Sequence, residues 1–275
     1  MSARFCCLRL PRMTVVVLGL ALCTPAAHAF TFQPNKMQYY LMPDYCKAKM
    51  SDFHANREGF WSIRFPINEK EIAYWKHRIG SDWHHMHHYC AGVAYLSEAQ
   101  DPADRRADWH YHLAVMEIRY TWSKSGPTAP LWPQMTLDYA RANEGNGDRQ
   151  KALELLTQLI GQAPDNPHVY LALAQTLKRG GDLEKAIPVL EEGLKKVKVK
   201  GPLLFYLPRF YYEAGNVDRA AELIPAAEKA GMKMDTLRKK LGMPLASGAE
   251  TASGDEPAAG AGGAAVAGGQ AAGLD

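Results

Sequence analysis

The sequence lacks both a long apolar run and a block of positive charge, and each absence excludes a class of protein. Its most apolar stretch, residues 13–23, has only eleven residues, which is too short to span a bilayer comfortably. Its formal net charge is +3 and no block of lysine and arginine suggests a nucleic-acid partner, so a nucleic-acid-binding protein is not favoured. We therefore expect a mature chain without a transmembrane span or a nucleic-acid partner.

Aromatic residues are absent from residues 246–275, which consist mainly of alanine and glycine. Such a segment cannot bury enough apolar surface to offset its ordering entropy, so we expect a disordered tail. Catalytic motifs are absent as well, since the chain has no G-x-S-x-G elbow and no phosphate-binding glycine loop. We therefore expect a protein that is not an enzyme and needs no cofactor.

Residues 1–29 begin with basic residues, continue through the apolar stretch and end in Ala27-His28-Ala29. This is the pattern of a secretory signal peptide that is cut before Phe30. It predicts a secreted protein, and the bacterial periplasm is the compartment that we expect. A lipoprotein anchored through Cys23 and a buried N-terminal helix are the alternatives.

Only two of the five cysteines, Cys46 and Cys90, lie after this leader. An even pair in a chain exported to an oxidising compartment favours a disulfide. The bond would close a loop of about 45 residues and contribute about 3–4 kcal/mol in the chain-entropy model. Two buried free thiols, or metal ligation by either cysteine, are the alternatives.

The dominant feature of the chain is a pattern that recurs every 34 residues between Leu131 and Leu241. Small residues, turn glycines and apolar residues all keep this spacing. The aligned sets are Ala152, Ala186 and Ala220; Gly147, Gly181 and Gly215; Leu155, Val189 and Leu223; Leu156, Leu190 and Ile224; and Leu137, Leu171 and Phe205. A period of this length is typical of a helix-turn-helix unit that buries its apolar face by stacking on its neighbours.

The pattern resembles the tetratricopeptide repeat (TPR) family, in which Ala140, Ala174 and Pro164 also match expected positions. The resemblance implies an all-α stack of helical hairpins, with three repeats at about 131–166, 167–200 and 201–234 and an end helix before 245. Because such repeats occur in many unrelated scaffolds, the resemblance predicts the fold more strongly than the function.

In this family the first helix of each hairpin lines a concave groove. The residues carried over to that groove are Gln134, Leu137, Arg141 and Glu144 from the first repeat; His168, Leu171, Gln175 and Lys178 from the second; and Phe205, Arg209 and Tyr212 from the third. An apolar floor with cations would suit an extended peptide that carries an acidic side chain or a free carboxylate. The alternative is that these are ordinary exposed helix residues.

Between the leader and the repeats, residues 30–80 are rich in tyrosine and tryptophan. We expect an extended arm that ends at Pro43, followed by a short helix that Asp44 caps and that ends before Gly59. A second short helix is expected from Asn68, a capping residue, to Gly80.

Residues 81–124 are predicted to form a degenerate hairpin that caps the stack. We expect its helices at Trp83 to Ala99 and at about Ala103 to Trp122. Small and aromatic residues in these helices have the spacing of repeat contact positions, namely Gly92, Tyr95, Ala107, Tyr111 and Ala114.

The helix predicted from Trp83 carries a histidine cluster. On a helix, His84 and His88 lie one turn apart, which would let two imidazoles hold one metal ion, and His85 with His88 forms a second possible pair. A third ligand could come from His77, His110 or His112. No carboxylate lies within the cluster, so a partly buried histidine face or a pH-responsive surface is the alternative.

Taken together, these patterns predict a non-catalytic scaffold or adaptor of the cell envelope that binds a partner protein or peptide through the concave face of its repeats. A periplasmic protein that binds zinc, copper or nickel through His84, His85 and His88 is the alternative function. An enzyme with its active site in the aromatic segment is a third possibility.

Overall fold

A computed structural model describes residues 32–55, 68–101 and 103–245 of the chain. The predicted signal peptide, the Cys23 alternative and the predicted disordered tail lie outside these residues. The described ranges contain helices and no strand, which confirms the all-α prediction. None of the helices in these ranges combines the length and the apolar character that crossing a membrane requires.

The helices are α1 (Lys36–Leu41), α2 (Asp44–Ala55), α3 (Glu69–Ile79), α4 (Met86–Ala99), α5 (Ala107–Lys124), α6 (Trp132–Gly145), α7 (Arg149–Gln162), α8 (Pro167–Arg179), α9 (Leu183–Lys196), α10 (Gly201–Glu213), α11 (Val217–Lys229) and α12 (Asp235–Lys240). From α4 to α11 they pack as consecutive hairpins, and each hairpin also packs on the next. The predicted stack of helical hairpins is therefore confirmed.

The turns of the three regular hairpins explain why glycine recurs every 34 residues. Gly147, Gly181 and Gly215 have φ angles of 89°, 86° and 80°, a left-handed conformation that costs little only for glycine. The helix that follows each turn buries its small residue completely, at Ala152, Ala186 and Ala220. These alanines allow the two helices of a hairpin to approach closely.

The core runs between successive hairpins. One cluster joins α8, α9 and α10 and contains Tyr170, Ala174, Ala186, Ile187, Leu190, Val197, Leu203, Leu207 and Phe210. A smaller cluster joins the last hairpin to α12 and contains Ile224, Ala227, Met234 and Leu237. Each hairpin therefore buries its apolar side against its neighbour, as expected for a stacked repeat.

The helix that was predicted from Trp83 starts later than expected. A short 3-10 helix occupies Gly80–His84, and α4 begins only at Met86. The amide of His85 donates to the carbonyl of Asp82 (2.9 Å), and the amide of His88 donates to the carbonyl of His85 (3.1 Å). These bonds join residues three positions apart and wind the chain more tightly than an α-helix does. The 3-10 helix and α4 are therefore not one continuous α-helix.

The front segment also differs from the prediction, because the expected extended arm contains helix α1. The side chains of Asn35 and Gln38 each accept a bond from the other residue's amide, at 2.9 and 2.7 Å. This reciprocal cap starts α1 and was not recognised in the sequence. The bounds of α3, between its Asn68 cap and Gly80, are as predicted, whereas Asp44 is the first residue of α2 rather than its cap.

The disulfide prediction is confirmed. The sulfur atoms of Cys46 and Cys90 lie 2.03 Å apart, and both residues are fully buried. The bond joins α2 to α4 and so attaches the front helices to the first hairpin.

Candidate functional site

The first helices of the three regular hairpins, α6, α8 and α10, lie side by side and are joined by ion pairs. Arg179 on α8 forms a two-pronged pair with Glu144 on α6, with N–O distances of 2.7 and 2.5 Å. Lys178, the preceding residue, reaches Glu213 on α10 at 2.6 Å. Two of the predicted groove residues, Glu144 and Lys178, therefore form ion pairs that bridge these helices.

At the α6 end of this surface, a buried carboxylate already holds two of the predicted ligand-binding groups. Asp138 accepts bonds from the Tyr89 hydroxyl (2.6 Å), the Gln134 amide (3.0 Å) and the Arg141 guanidinium (3.1 Å). Burial, followed by the Asp138 charge, raises the pKa of Tyr89 well above its ordinary value, so the phenol stays a neutral donor. Arg141 is therefore balanced by an internal acid.

Lys178, the cation on α8, also has a counter-charge within the chain. Besides its pair with Glu213, the Lys178 ammonium lies 5.0 Å from the centre of the Phe210 ring. A ligand carboxylate at this point would compete with an existing pair.

Arg209 on α10 has a different environment. Its guanidinium lies 3.5 Å from the centre of the Phe205 ring, donates to the Phe205 carbonyl and approaches the Met234 sulfur at 3.5 Å. Within the described ranges no carboxylate pairs with this half-buried cation, and burial lowers its pKa. Tyr212 lies one turn further along the same face. Arg209 is thus a cation on an aromatic platform without a counter-charge from the part of the chain that is described.

The other predicted groove residues divide into available and packed side chains. His168 is exposed at the start of α8, and burial followed by the Arg141 charge lowers its pKa. Gln175 is half-buried, and its amide makes no hydrogen bond to the described residues. Leu137 is buried and Leu171 packs against the core, so both contribute to the stack rather than to an open floor.

Several residues that shape this surface were missed at the sequence level. Asp138 could have been found, because it stands four residues after Gln134 and three before Arg141 on one helix. Tyr89 from α4 is fully buried and bonds Asp138 beneath this surface, and Tyr111 from α5 is half-buried beside α6; no local spacing indicates either contact. The Tyr111 ring lies against Gly145, where an added Cβ would come within 2.2 Å of it.

The histidines of the predicted metal site have other neighbours. His84 ends the 3-10 helix and is exposed, while the ring of His85 lies 5.0 Å from it and 5.5 Å from that of Tyr120. His88 Nδ1 lies 2.6 Å from Glu117. Among the described residues, no group of three or more histidine, cysteine, aspartate or glutamate side chains could hold a metal ion. The metal site remains a prediction.

A separate cavity of about 460 Å³ lies on the front helices, and no pattern in the sequence indicates it. Lys49, which is buried, extends its ammonium to 3.6 Å from Asp52 and 4.9 Å from the centre of the Trp83 ring. The Trp83 indole donates to Asp52 at 2.9 Å. Burial lowers the pKa of Lys49, and Asp52 partly offsets this effect.

A family model agrees with the repeat pattern. Residues 145–203 match the tetratricopeptide repeat family model. The antiviral innate immune response effector IFIT1 of Macaca fascicularis is 30% identical over 97 residues, which are 35% of this chain and 20% of that protein. The chain thus spans about a fifth of the length of this curated relative. Two solved structures from Podosopora anserina are described as kinesin light chain nearly identical TPR-like repeats. Each is 18% identical to this chain, with a TM-score of 0.44. The matches cover 74% of this chain and 95% and 96% of the two solved chains.

Proposed function

We propose that this chain, which contains tetratricopeptide repeats, is a non-catalytic adaptor that binds an extended, acidic segment of a partner protein on the surface of α6, α8 and α10. Tetratricopeptide repeats generally mediate protein–protein interaction, and the proposal adds a ligand type and an anchor. The anchor is Arg209, and the ligand group is an acidic side chain or a terminal carboxylate.

The observation that carries this proposal is the environment of Arg209. Its guanidinium is half-buried over Phe205 and no carboxylate of the described residues neutralises it. A partly desolvated cation gains more from an incoming anion than an exposed one does, because the surrounding dielectric is lower. The aromatic ring and the Phe205 carbonyl also hold the guanidinium in one orientation, so little side-chain entropy remains to be lost on binding.

Arg141 and Lys178 have a secondary role in this proposal. Each is paired with an acid of the chain itself, Asp138 and Glu213 respectively, so a ligand carboxylate would have to share or displace that partner. We assign them to charge complementarity along the groove rather than to the main anchor. Gln175, half-buried between the two arginines in the repeat register, is placed to bond the peptide backbone of the ligand.

The cell envelope is the place where we propose that the adaptor works. The leader pattern of residues 1–29 and the Cys46–Cys90 disulfide support export to an oxidising compartment. The partner would then be another envelope protein.

The groove assignment can be tested by capture from envelope extracts with the native protein and with Arg209→Glu. The exposed Lys185 on α9 supplies the matched control, Lys185→Glu, which changes the net charge equally outside the groove. We expect Arg209→Glu to weaken binding of the captured partner by about tenfold or more, the effect of one charge-assisted hydrogen bond. Lys185→Glu should leave it unchanged.

The most direct test uses a peptide from the captured partner. Its binding affinity is measured with the carboxylate intact and again with that group amidated. Amidation should weaken binding to the native protein but not to Arg209→Glu. If the double variant Arg141→Glu, Arg209→Glu captured the same partners as the native protein, the groove assignment would be wrong.

A further inference from the structure

Helix α5 leaves one face open although it belongs to the packed part of the molecule. Its buried residues His110, Ala114, Ile118 and Thr121 face the stack. On the opposite side, Trp109, Met116 and Tyr120 are 55%, 49% and 40% exposed, and His112 is exposed beside them. Their spacing places all four on one stripe, which we call the α5 face. Clustered aromatic and methionine side chains on an exposed surface are typical of a protein contact.

The aromatic side chains of the α5 face are held in place before any partner arrives. The Trp109 ring stacks on that of His112, with centroids 5.8 Å apart. The Tyr120 ring packs against that of His88, with centroids 4.1 Å apart. Aromatic groups fixed in this way lose little conformational freedom on binding, which is a property of residues that dominate interface energies.

Two of the charges that flank the α5 face are arranged symmetrically about Met116. Asp108 stands eight residues before Met116 and Lys124 eight residues after it, and His112 and Tyr120 stand four residues before and after. If two copies of α5 cross antiparallel on a two-fold axis at Met116, each Asp108 faces the Lys124 of the other copy. The same axis places each His112 opposite a Tyr120 and brings the two Met116 side chains together.

We propose that the α5 face is the interface of a homodimer, in which two copies pack their α5 helices antiparallel about Met116. The occupant is a second copy of this chain because the face complements itself in charge and in apolar content. The interface is separate from the surface of α6, α8 and α10, so a dimer would present two partner-binding grooves.

A cysteine at the symmetry axis tests the geometry. In the full chain with the leader cysteines Cys6, Cys7 and Cys23 replaced by serine, Met116→Cys places one new thiol on the proposed axis. Mild oxidation should give a covalent dimer on a non-reducing gel. Val217→Cys, which is equally exposed at 48% but lies on α11, is the control and should stay monomeric. Equal cross-linking of both variants, or none with Met116→Cys, would overturn the proposal.

Charge reversal tests the same interface without a covalent bond. Sedimentation equilibrium of the native full chain should show a monomer–dimer equilibrium. Asp108→Lys replaces two attractive pairs with two repulsive ones and should weaken the dimer by about tenfold. Adding Lys124→Asp restores opposite charges and should recover the native affinity. A native chain that stays monomeric at every concentration, or a double variant that is as weak as Asp108→Lys, would contradict the proposal.

Discussion

Individual glycines decide how closely the helices of the first hairpin approach. A Cβ added at Gly92 would lie 2.5 Å from Ile118 Cγ1 and 3.1 Å from the Ile118 backbone nitrogen. The second contact is with backbone, which cannot move aside as the end of a flexible side chain can. Gly161, near the end of α7, has no atom within 4 Å of the same position.

We expect Gly92→Ala to lower the free energy of unfolding by about 1–3 kcal/mol, because the added methyl group overpacks the α4–α5 contact. Gly161→Ala is the matched control, and it should be neutral or slightly stabilising because alanine favours the helix. Urea denaturation of both variants measures the difference. Equal stabilities would show that α4 and α5 do not approach closely at Gly92.

Two arginines at the same repeat position show how a single neighbour changes the role of a residue. Arg141 and Arg209 are separated by two periods of the pattern. Three residues before Arg141 stands Asp138, whereas Tyr206 stands three residues before Arg209. Arg141 therefore pairs with an acid on its own helix, while Arg209 turns to the ring of Phe205.

Among the elements, α12 covers the end of the last regular hairpin. Its buried Leu237, with Met234 just before the helix, packs on Ile224 and Ala227 of α11. Arg238 forms a two-pronged pair with Glu228 on α11, with N–O distances of 2.6 and 2.7 Å. This pair lowers the pKa of Glu228, so the carboxylate stays charged further into the acid range.

We expect Arg238→Gln to loosen α12, because the Glu228 carboxylate loses its counter-charge. Amide hydrogen exchange across residues 235–240 should become faster, while α8 and α9 stay protected. Arg219→Gln, which removes a single, more exposed ion pair with Glu222 on α11, is the control and should leave α12 unchanged.

The same pair should make α12 sensitive to acid. Because the pKa of Glu228 is lowered in the folded state, its contribution is complete above the ordinary glutamate pKa. That contribution disappears as the pH falls through the lowered value. Protection factors of α12, corrected for intrinsic exchange, should therefore fall on acidification in the native protein and not in Arg238→Gln. A parallel fall in both proteins would contradict the assignment.

At the scale of the whole molecule, the described helices pack mainly on the next helix along the chain and, in the stack, on the next helix but one, as expected for a stacked repeat. The Cys46–Cys90 bond is different because it covalently joins α2 to α4 across 44 residues. The bond keeps the front helices attached to the first hairpin even when one of these parts unfolds locally.

We expect denatured, unreduced protein to show no free thiol at Cys46 or Cys90, and reduced protein to show both. Reduction should lower the free energy of unfolding by about 3–4 kcal/mol, since the open loop gains conformational entropy in the unfolded state. Thiol labelling with mass spectrometry measures the first result and denaturation the second. Labelling of both cysteines without reduction would contradict the disulfide.

Local chemistry was enough to predict the architecture. The 34-residue spacing of Gly147, Gly181 and Gly215 indicates left-handed turns, and the alanines in register indicate close helix contacts. These features are readable because a turn, a cap or an apolar stripe depends on residues within a few positions of one another. The exported-chain argument likewise predicted the correct cysteine pair.

Only the tertiary structure decided which charges are available at the surface. Lys178 meets Glu213 from the next hairpin, Arg141 shares Asp138 with Tyr89 from α4, and Arg209 is left with an aromatic ring. The exposed side of α5 also became visible only once its buried side was known. Such pairings join residues that are distant in sequence, and their energies depend on burial and distance, which local spacing does not encode.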